Sequence, residues 1–373
     1  MSDRESPSED HRAALADAFD ANVDPLAEHA STFEELDVDP FELFFSEALD
    51  PVDPAPGTVA SYEQLFRMWR EHMAREGRHP ACPNEQHVHS FVEYCLNERS
   101  NKPHTARTKL HRLKKVFEYW QADPLFPHPT DYDPFALALS KLDLDRPPVK
   151  QPPRLSVSEL ADVIRTVTHV RDRAIVVMQL KLGLRASEVC NLRLSHVHLA
   201  DEEVKRGYPS LGSHERLARR PNAVFIPSRY EQPGNKSRRH RVLPLDSELQ
   251  ELLRVQLLTR PDTGAPWVFQ TKTTHNQLDQ EYVNRVWTTA FHPEYAETPE
   301  YRAVTSHYGR HRFTTYWQVE HPVNREVVQY MRGDTIEGDA TDREAIDDYV
   351  HTYYEDIESL YREQIYQFGI RSM

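Results

Sequence analysis

The segment "SHYGRHRF" (306–313) concentrates cationic and proton-transferring side chains in a short stretch. Within it, His307 and Arg310 are three residues apart, a spacing that places both side chains on one side of a helix. A second imidazole, His311, follows directly. Such a cluster can be a solvated surface, a metal site or a binding site for an anion, and the residues that other segments bring to it decide among these.

Three other segments carry residue types that suit chemistry on an anion. "LGLRASEVCNLRLSHV" contains Arg185 at the start of a predicted amphipathic helix, and "GNKSRRHRVLPL" places Lys236 at the tip of a predicted hairpin. "AIDDYVHTYYEDI" (345–357) is dense in tyrosine. Taken singly, each of these residues is more often a surface or packing residue than a catalytic one.

Together, these are the groups that phosphoryl transfer through a covalent intermediate needs. Guanidinium groups match phosphate oxygens and stay charged at any working pH, so two arginines can stabilise a pentavalent transition state. A lysine on a hairpin can protonate a leaving oxygen, a histidine can accept a proton from an attacking hydroxyl, and a tyrosine can be that nucleophile. The sequence contains neither a triphosphate-binding loop nor a carboxylate cage for a metal, so we expect a mechanism without a cofactor.

The residues that carry this chemistry resemble the motifs of the tyrosine recombinases, or phage-type integrases. The resemblance covers the chain from about residue 155 to the C-terminus and, more loosely, residues 58–140. It rests on a "GLRxSE" box with Arg185 and Glu188, a lysine eight residues before the proline of an "R-V-x-P-L" strand, and "HxxRH" at 307–311, in the family's order. Each motif alone would be weak, but their combination is specific.

The resemblance implies a role for each of these residues. Arg185 and Arg310 would clamp a scissile DNA phosphate, Lys236 would be the general acid for the 5′-oxygen, and His307 would assist proton transfer at the nucleophile. Glu188 would orient Arg185 or cap its helix. The resemblance gives His311 a supporting role.

The nucleophile is expected in a "Y-x-H" stretch, and "DYVH" makes Tyr349 the candidate. Its attack would leave a 3′-phosphotyrosine and a free 5′-hydroxyl, so religation would need no ATP. Because the preceding gap is longer than in typical family members, Tyr353 and Tyr354 remain alternatives. The family usually has Gly-His or Gly-Trp before the tyrosine, whereas "MRGD" puts Asp334 there. A carboxylate repels a phosphate unless it is protonated or turned away, so either that role is lost or His351 takes it over.

The charge distribution bears on the expected partner. The net charge is −14, and residues 1–56 hold 16 acidic and two basic residues, so the remainder of the chain is formally neutral and can carry basic patches. This acidity suggests that residues 1–56 mimic DNA or restrain a basic helix until assembly. Abundant Asp and Glu with Arg as the dominant base resemble a halophilic composition, in which screening would favour close contacts to DNA.

Composition also limits the class of protein. No run of about 18 apolar residues and no signal peptide is visible, and three scattered cysteines do not make a disulfide framework. We therefore expect a cytoplasmic protein with no membrane contact. Cys82, His87, His89 and Cys95 lack convincing spacing for zinc, and we expect no metal.

Four parts are predicted along the chain. Residues 1–56 form an acidic segment with weak order or one or two short helices, and 57–144 form a helical domain. Paired prolines mark a linker at 145–154, and 155–373 form the catalytic domain with a C-terminal helix. The resemblance implies a mainly α fold with a small antiparallel β-sheet, in which a helical SAM-like core-binding domain precedes a mixed α+β tyrosine-recombinase catalytic domain.

Periodic apolar residues support these assignments. In the helical domain the patterns begin near Tyr62, after Asn84 as N-cap, and near Leu110. In the catalytic domain, Ser156 and Glu159 have capping-box spacing, and 222–227 and 239–245 are predicted strands. The last helix is predicted to pack on its own domain or, as the family suggests, on a neighbouring protomer.

Bases predicted to contact double-stranded DNA lie in two places. Residues 102–115 hold six bases and no carboxylate, and the hairpin adds two arginines. The full set is Lys102, Arg107, Lys109, Arg112, Lys114, Lys115, Arg238 and Arg239.

The leading hypothesis is a site-specific DNA recombinase or integrase that assembles as a homotetramer across two sites. One alternative is a DNA-binding relative whose chemistry has lapsed, which Asp334 keeps open. Another is an enzyme like topoisomerase IB that nicks and reseals one duplex.

Overall fold

The structure is a computed structural model that describes residues 18–19, 22–54, 56–144, 150–334 and 354–370. The chain divides into two compact units, Met1–Val149 and Lys150–Met373. The division falls inside the segment that the sequence marks as a proline-rich linker. Across the described ranges, no helix has both the length and the apolar character to span a membrane.

The first unit is helical. Its α-helices are α1 (Ala30–Glu35), α2 (Pro40–Phe44), α3 (Pro56–Arg75), α4 (Glu85–Glu93), α5 (Pro103–Ala122) and α6 (Pro134–Lys141). Short 3₁₀ or π turns lie at Ala27–His29, Phe45–Leu49, Asp50–Val52 and Tyr94–Glu98.

The predicted apolar faces of this unit are buried. Trp69 from α3 and Trp120 from α5 are each almost fully buried, and Phe117 packs edge-on against Trp120. Asn84 caps α4, where its side chain accepts from the His87 amide at 3.1 Å. The recurrence of apolar residues every 3.6 positions therefore predicts the buried helix faces of this unit correctly.

Residues 22–54 contain two short α-helices, α1 and α2, which is one of the two arrangements that the sequence left open. Phe41 and Phe44 from α2 are each 1% exposed and join the core of the first unit. The acids of this segment pair within the unit: Asp24 with Arg78 at 2.7 Å and Asp39 with Arg70 at 2.5 Å. Burial of these aromatic rings in the core formed by α3 and α5 stabilises the segment. This stabilisation offsets the conformational entropy that is lost when the segment becomes ordered.

Several of the predicted DNA-contacting bases at 102–115 have partners within the protein. Lys109 donates to Asn101 at 2.5 Å, and Lys114 pairs with Glu118 and Asp133. Arg112 lies 5.5 Å from the centre of the Tyr62 ring, and Arg107 donates to His111 Nε2 at 3.5 Å. The side chains of Lys102, Arg107 and Lys115 are exposed.

The second unit contains the remaining elements. They are α7 (Val157–Thr166), α8 (Val170–Leu182), α9 (Ala186–Cys190), β1 (Val197–His198), α10 (Glu202–Gly207), β2 (Ala223–Ile226), β3 (Arg241–Pro244), α11 (Ser247–Thr259), α12 (Gln280–Phe291), α13 (Ser306–Thr315), α14 (Arg325–Arg332) and α15 (Tyr354–Gln364). Short 3₁₀ or π turns lie at Leu194–His196, Glu215–Leu217 and Tyr316–Glu320.

The core of the second unit is built around α8. Every residue from Ala174 to Leu182 is buried, and α11 and α13 both pack on this helix. Lys181 is 0% exposed and is neutralised by Asp246 at 2.6 Å and Glu248 at 2.7 Å. This buried ion pair holds the start of α11 against α8. Separating the two helices would leave the ammonium and the carboxylates buried without a counter-charge, which is costly.

The sheet is antiparallel with the order β1-β2-β3. The two predicted strands are confirmed as β2 and β3, which pair with Val224 opposite Leu243. The sequence missed β1, whose two residues are too short to show a period. This pairing presents the turn between β2 and β3 at one end of the sheet.

The C-terminal helix packs on its own unit. Ile357 and Tyr361 of α15 are fully buried, and α15 packs on β3. The Tyr361 hydroxyl donates to the Lys181 carbonyl at 3.0 Å, and Tyr366 donates to the Leu180 carbonyl at 2.6 Å. The sequence left open whether this helix packs on its own domain or on a neighbouring protomer. In the single chain it packs on its own domain.

Candidate active site

Arg185 is positioned by the tight junction between α8 and α9. Gly183 ends α8 with φ +63°, and a Cβ there would lie 2.7 Å from the Phe313 side chain. Arg185 then stands at the N-cap of α9, where its amide donates to Glu188 Oε2 at 2.8 Å. Glycine is needed at this junction because the backbone is left-handed and Phe313 leaves no space.

Arg310 comes from α13, which lies close against α8. A Cβ at Gly309 would lie 2.9 Å from the backbone carbon of Gln179, so the missing side chain permits this close approach. Arg310 is 3% exposed and donates through Nη1 to the carbonyls of Gly183 at 2.8 Å and Arg332 at 3.0 Å. The contact between the two helices thus fixes the Arg310 guanidinium beside the α8–α9 junction that carries Arg185.

The structure brings Arg185 and Arg310 together on one carboxylate oxygen. Asp334 Oδ1 accepts from Arg185 Nη2 at 2.9 Å and from Arg310 Nη2 at 2.5 Å. Asp334 Oδ2 lies 2.9 Å from Nε of Arg332. Asp334, which stands where the family usually has His or Trp, therefore lies at the centre of the cationic cluster.

A buried ion pair supports this cluster from below. Glu188 accepts from Arg241 at 2.9 and 3.1 Å and from the Ser237 hydroxyl at 2.7 Å. Ser237 in turn accepts from Arg185 Nη1 at 2.6 Å. Burial alone raises the pKa of the Glu188 carboxyl, but Arg241, Arg185 and Arg310 outweigh it and lower that pKa to about 2.

Sequence reasoning missed the contributions of Ser237, Arg241 and Arg332. A signal for Arg241 was available, because an arginine that enters a strand of otherwise apolar residues must find a buried counter-charge. Arg241 also donates to the Met331 carbonyl at 2.8 Å, which ties the strand to the end of α14. Nothing in the local sequence marks Ser237 or Arg332, because their partners are distant along the chain.

Lys236 lines the open cleft above the cluster. It is exposed between two anchored residues: Asn235 donates to the Pro227 carbonyl at 2.9 Å, and Ser237 is bound to Glu188. The cleft has a volume of about 900 Å³. Its lining residues are Arg185, Lys236, Arg238, Gln318, Val323, Arg325, Gln329, Arg332, Gly333 and Asp334.

The lining of this cleft is strongly positive. It contains five cationic side chains against one carboxylate. The pKa of the buried Arg310 is lowered to about 9, first by burial and then by the charge of Arg185. An anion in the cleft would relieve this repulsion, so the cleft is suited to bind one.

His307 and His311 lie on α13 at exposed positions outside the cleft lining, with ring centroids 5.2 Å apart. The protein lowers the pKa of His307 to about 4, through partial desolvation of the ring and then through the positive neighbours His311, Arg302 and Arg310. The pKa of His311 is also lowered, by desolvation and by Arg302. His307 is therefore neutral at pH 7 and able to accept a proton.

Three of the residues predicted around the nucleophile, Tyr349, His351 and Tyr353, lie outside the described residues. Tyr354 is 3% exposed, and its hydroxyl lies 3.0 Å from Glu358 Oε1 and 3.4 Å from Arg362 Nη2. Burial raises the pKa of Tyr354 to about 12. Tyr354 thus has a packing role in α15 that accounts for its position.

The remaining predicted residues of the hairpin are Arg238 and Arg239. Both are exposed, and Arg238 lines the cleft. Among the residues that the structure describes, no group of three or more His, Cys, Asp or Glu side chains is arranged to hold a metal ion. Cys82 and Cys95 are fully buried, and His87 caps α4.

The segment that carries this site matches a known protein family. Residues 154–335 match the phage integrase family. This part of the chain is similar to the members of that family. The resemblance that the sequence motifs indicate is confirmed, and the integrase domain includes Arg185, Lys236, His307, Arg310 and Asp334.

One relative is the tyrosine recombinase XerA of Pyrococcus horikoshii, which is 25% identical over 193 residues. The match covers 52% of this chain and 56% of XerA, so the chain spans little more than half the length of this curated relative.

Solved structures of integrases share the fold. The Tn1549 transposon integrase in complex with transposon right end DNA is similar over 86% of this chain and 97% of its own, with a TM-score of 0.55 and 16% identity. A lambda integrase tetramer bound to a Holliday junction is similar over 91% of this chain and 92% of its own, with a TM-score of 0.54 and 13% identity. The predicted fold class, mainly α with a small antiparallel sheet, is confirmed.

The buried Glu188–Arg241 pair generates a stability prediction. Replacing Glu188 with Gln leaves the Arg241 guanidinium buried without a counter-charge and should lower the free energy of unfolding by about 3 kcal/mol at pH 7. Because the folded pKa of Glu188, about 2, lies below its ordinary 4.5, its contribution is complete above about pH 4.5 and is lost as pH falls toward 2. Urea unfolding at pH 7, 5 and 3 measures both effects.

The matched control is Glu281→Gln on α12, whose side chain is 87% exposed. It should change the unfolding free energy by less than about 0.5 kcal/mol. Equal stability of Glu188→Gln and Glu281→Gln at pH 7 would contradict a structural role for the buried pair.

Proposed function

We propose that the protein is a site-specific DNA recombinase or integrase that cleaves and rejoins DNA strands through a 3′-phosphotyrosyl intermediate. The observation that carries the proposal is the convergence of the Arg185 and Arg310 guanidinium groups on a single oxyanion, at 2.9 and 2.5 Å, at the edge of an open cationic cleft. A phosphodiester presents the same kind of charged oxygen, and bidentate arginines are the groups that hold it best. The match of residues 154–335 to the phage integrase family supports the same reaction.

The reaction is a transesterification at phosphorus. The Tyr349 hydroxyl attacks the scissile phosphate, the bond from its oxygen to phosphorus forms, and the bond from phosphorus to the 5′-oxygen breaks. Arg185 and Arg310 stabilise the charge that develops on the non-bridging oxygens. Because the phosphotyrosyl bond retains the energy of the phosphodiester, a free 5′-hydroxyl can attack it and restore the strand without ATP.

Two residues move the protons in this scheme. His307, whose ring is neutral at pH 7, accepts the proton of the tyrosine hydroxyl. Lys236, exposed in the cleft on the β2–β3 turn, donates a proton to the 5′-oxygen as it leaves. Glu188 and His311 act on the site indirectly, Glu188 by holding the Arg185 amide and Ser237 in place.

Double-stranded DNA is the proposed partner, and a cytoplasmic location is proposed for the activity. The exposed bases Lys102, Arg107 and Lys115 of α5 and Arg238 and Arg239 of the hairpin are proposed to contact its backbone. The lambda integrase neighbour is a tetramer on a Holliday junction, and we propose a homotetramer for this chain as well. If α15 joins the protomers, it must leave the docking site that it occupies on its own unit.

A catalytically lapsed DNA-binding protein is the second candidate. The observation that favours it is Asp334, whose carboxylate occupies the place between Arg185 and Arg310 where a phosphate would bind. The two candidates differ in whether a covalent bond to DNA forms.

Covalent trapping separates the two candidates. Incubation with a library of randomised duplexes, each nicked a few nucleotides 3′ of the randomised step, should yield a covalent protein–DNA adduct, because the short 5′-hydroxyl fragment diffuses away before religation. Tyr349→Phe should abolish the adduct, and mass spectrometry of the wild-type peptide should place the nucleotide on Tyr349.

Tyr301→Phe is the matched control, since Tyr301 is 49% exposed and lies outside the cleft lining, and it should retain the adduct. An adduct on Tyr353 would identify Tyr353 as the nucleophile and leave the proposed reaction unchanged. Tight DNA binding with no adduct at any salt concentration would instead support the lapsed candidate.

The role of Lys236 can be tested with a sequence recovered from that library. Lys236→Ala should slow cleavage by about 10²–10⁴-fold, because the 5′-oxygen then leaves without a proton. A bridging 5′-sulfur should restore most of this rate, since a thiolate leaves readily unprotonated.

Arg185→Ala provides the comparison within the same site. Arg185 acts on the non-bridging oxygens, so sulfur at the 5′ position should not rescue it. Equal rescue of both variants, or none for Lys236→Ala, would rule out Lys236 as the general acid.

A further inference from the structure

Three guanidinium groups share one carboxylate at the floor of the cleft. Arg185 and Arg310 bind Asp334 Oδ1, and Arg332 lies 2.9 Å from Oδ2. The role of Arg332 is not indicated by any motif of the sequence. Arg332 is an ion-pair partner of the same carboxylate, on the other oxygen, and its Nε has no hydrogen-bond partner among the described residues while Asp334 occupies the site.

The chain delivers Arg332 and Asp334 from either side of a glycine turn. Arg332 is the last residue of α14, and Gly333 ends the helix with φ +66°. A Cβ at Gly333 would lie 2.4 Å from Arg241 Nη1, so the turn passes directly over the buried Arg241–Glu188 pair. The Asp334 amide donates to the Gln329 carbonyl at 3.0 Å, which holds the backbone of the turn against α14.

The Asp334 carboxylate and a phosphodiester are alternatives for one place. Both present two oxygens that share one negative charge, and both fit between paired guanidinium groups. Two such anions at contact distance repel each other strongly at the edge of a protein interior. A phosphate that binds Arg185 and Arg310 must therefore displace the carboxylate.

We propose that Asp334 is a built-in anion that occupies the phosphate position in the free protein, and that Arg332 becomes a third phosphate-binding residue when DNA displaces it. The proposal rests on the proposed function and goes beyond it in two ways. It adds a guanidinium to the two that the motifs predict, and it makes the occupied site the resting state of the enzyme. DNA binding then exchanges one anion for another without exposing an uncompensated cluster of cations.

The third guanidinium has a further consequence for the reaction. Charge on the phosphoryl oxygens increases as the pentavalent transition state forms, so an added cation stabilises that state more than the ground state. Arg332 is therefore expected to affect the rate of cleavage as well as the affinity for DNA.

Inorganic phosphate is a probe that needs no knowledge of the target sequence. Its Kd can be measured by calorimetry at constant ionic strength, with chloride as the balancing anion. Asp334→Asn keeps the shape of the side chain and removes its charge, and it should bind phosphate at least ~10-fold more tightly than the wild type. Adding Arg332→Gln to Asp334→Asn should remove most of this gain.

The ion pair between Asp162 and Arg165 supplies matched controls. It lies on the surface of α7 at 2.5 Å, outside the cleft lining, and its members carry the same two charges. Asp162→Asn and Arg165→Gln should leave the Kd for phosphate unchanged. Asp334→Ser is a second variant in case the amide of Asp334→Asn disturbs folding, which thermal unfolding of each variant monitors.

Two results would overturn the inference. One is a Kd for phosphate in both Asp334→Asn and Asp334→Ser that equals or exceeds that of the wild type. The other is an unchanged Kd when Arg332→Gln is added to Asp334→Asn.

The covalent adduct distinguishes this failure from failure of the proposed function. If the wild type forms the phosphotyrosyl adduct but Asp334→Asn gains no affinity for phosphate, the proposed function is supported and the proposal that Asp334 is a built-in anion is wrong. If Asp334→Asn gains affinity for phosphate through Arg332 but no adduct forms, the proposed anion exchange is supported and the proposed reaction is wrong.

Discussion

The buried carboxylate of Glu188 is the interaction on which the rest of the site depends. It binds the Arg185 amide at the start of α9, the Ser237 hydroxyl beside Lys236, and the Arg241 guanidinium in β3. Arg241 in turn holds the end of α14 through the Met331 carbonyl. Three segments far apart in sequence, namely the start of α9, residues 237–241 and the end of α14, are therefore positioned by one charge pair that water does not reach.

This arrangement solves an electrostatic problem. A site that binds a phosphate needs several cations in a small space, and those cations repel one another while the site is empty. Glu188 offsets part of this charge from below, and Asp334 offsets it from the side on which a phosphate would enter. The cleft lining still has five cationic side chains against one carboxylate, and that excess favours the binding of an anion.

Much of the fold is visible in the sequence because its signals are local. The amphipathic periods of α3 to α5, the capping box before α7 and the two longer strands depend on residues a few positions apart, and they are found where predicted. The candidate residues Arg185, Lys236 and Arg310 were likewise recognisable from their order along the chain. In the structure Arg185 and Lys236 line one cleft, and Arg310 is buried beside it and binds Asp334 of the lining.

The features that the sequence did not reveal depend on distant partners. Arg241 reads as a surface base until Glu188 is known to lie beneath it, and Lys114 reads as a free DNA contact until Asp133 is known to pair with it. For residues 22–54 the sequence left weak order and short helices both open, because their few aromatic residues gain burial only against α3 and α5. Asp334 looks like an obstacle in the sequence, whereas in three dimensions it is the group that the clustered arginines bind.

Two guanidinium groups and the carboxylate between them mark the place of a DNA phosphate. A crystal structure of the protein soaked with tungstate, located by its anomalous scattering, tests this most directly. The anion should lie within hydrogen-bonding distance of both Arg185 and Arg310, with the Asp334 side chain turned out of the site. Tungstate bound elsewhere while Asp334 keeps both arginines, or the two arginines found in separate regions of the surface, would contradict it.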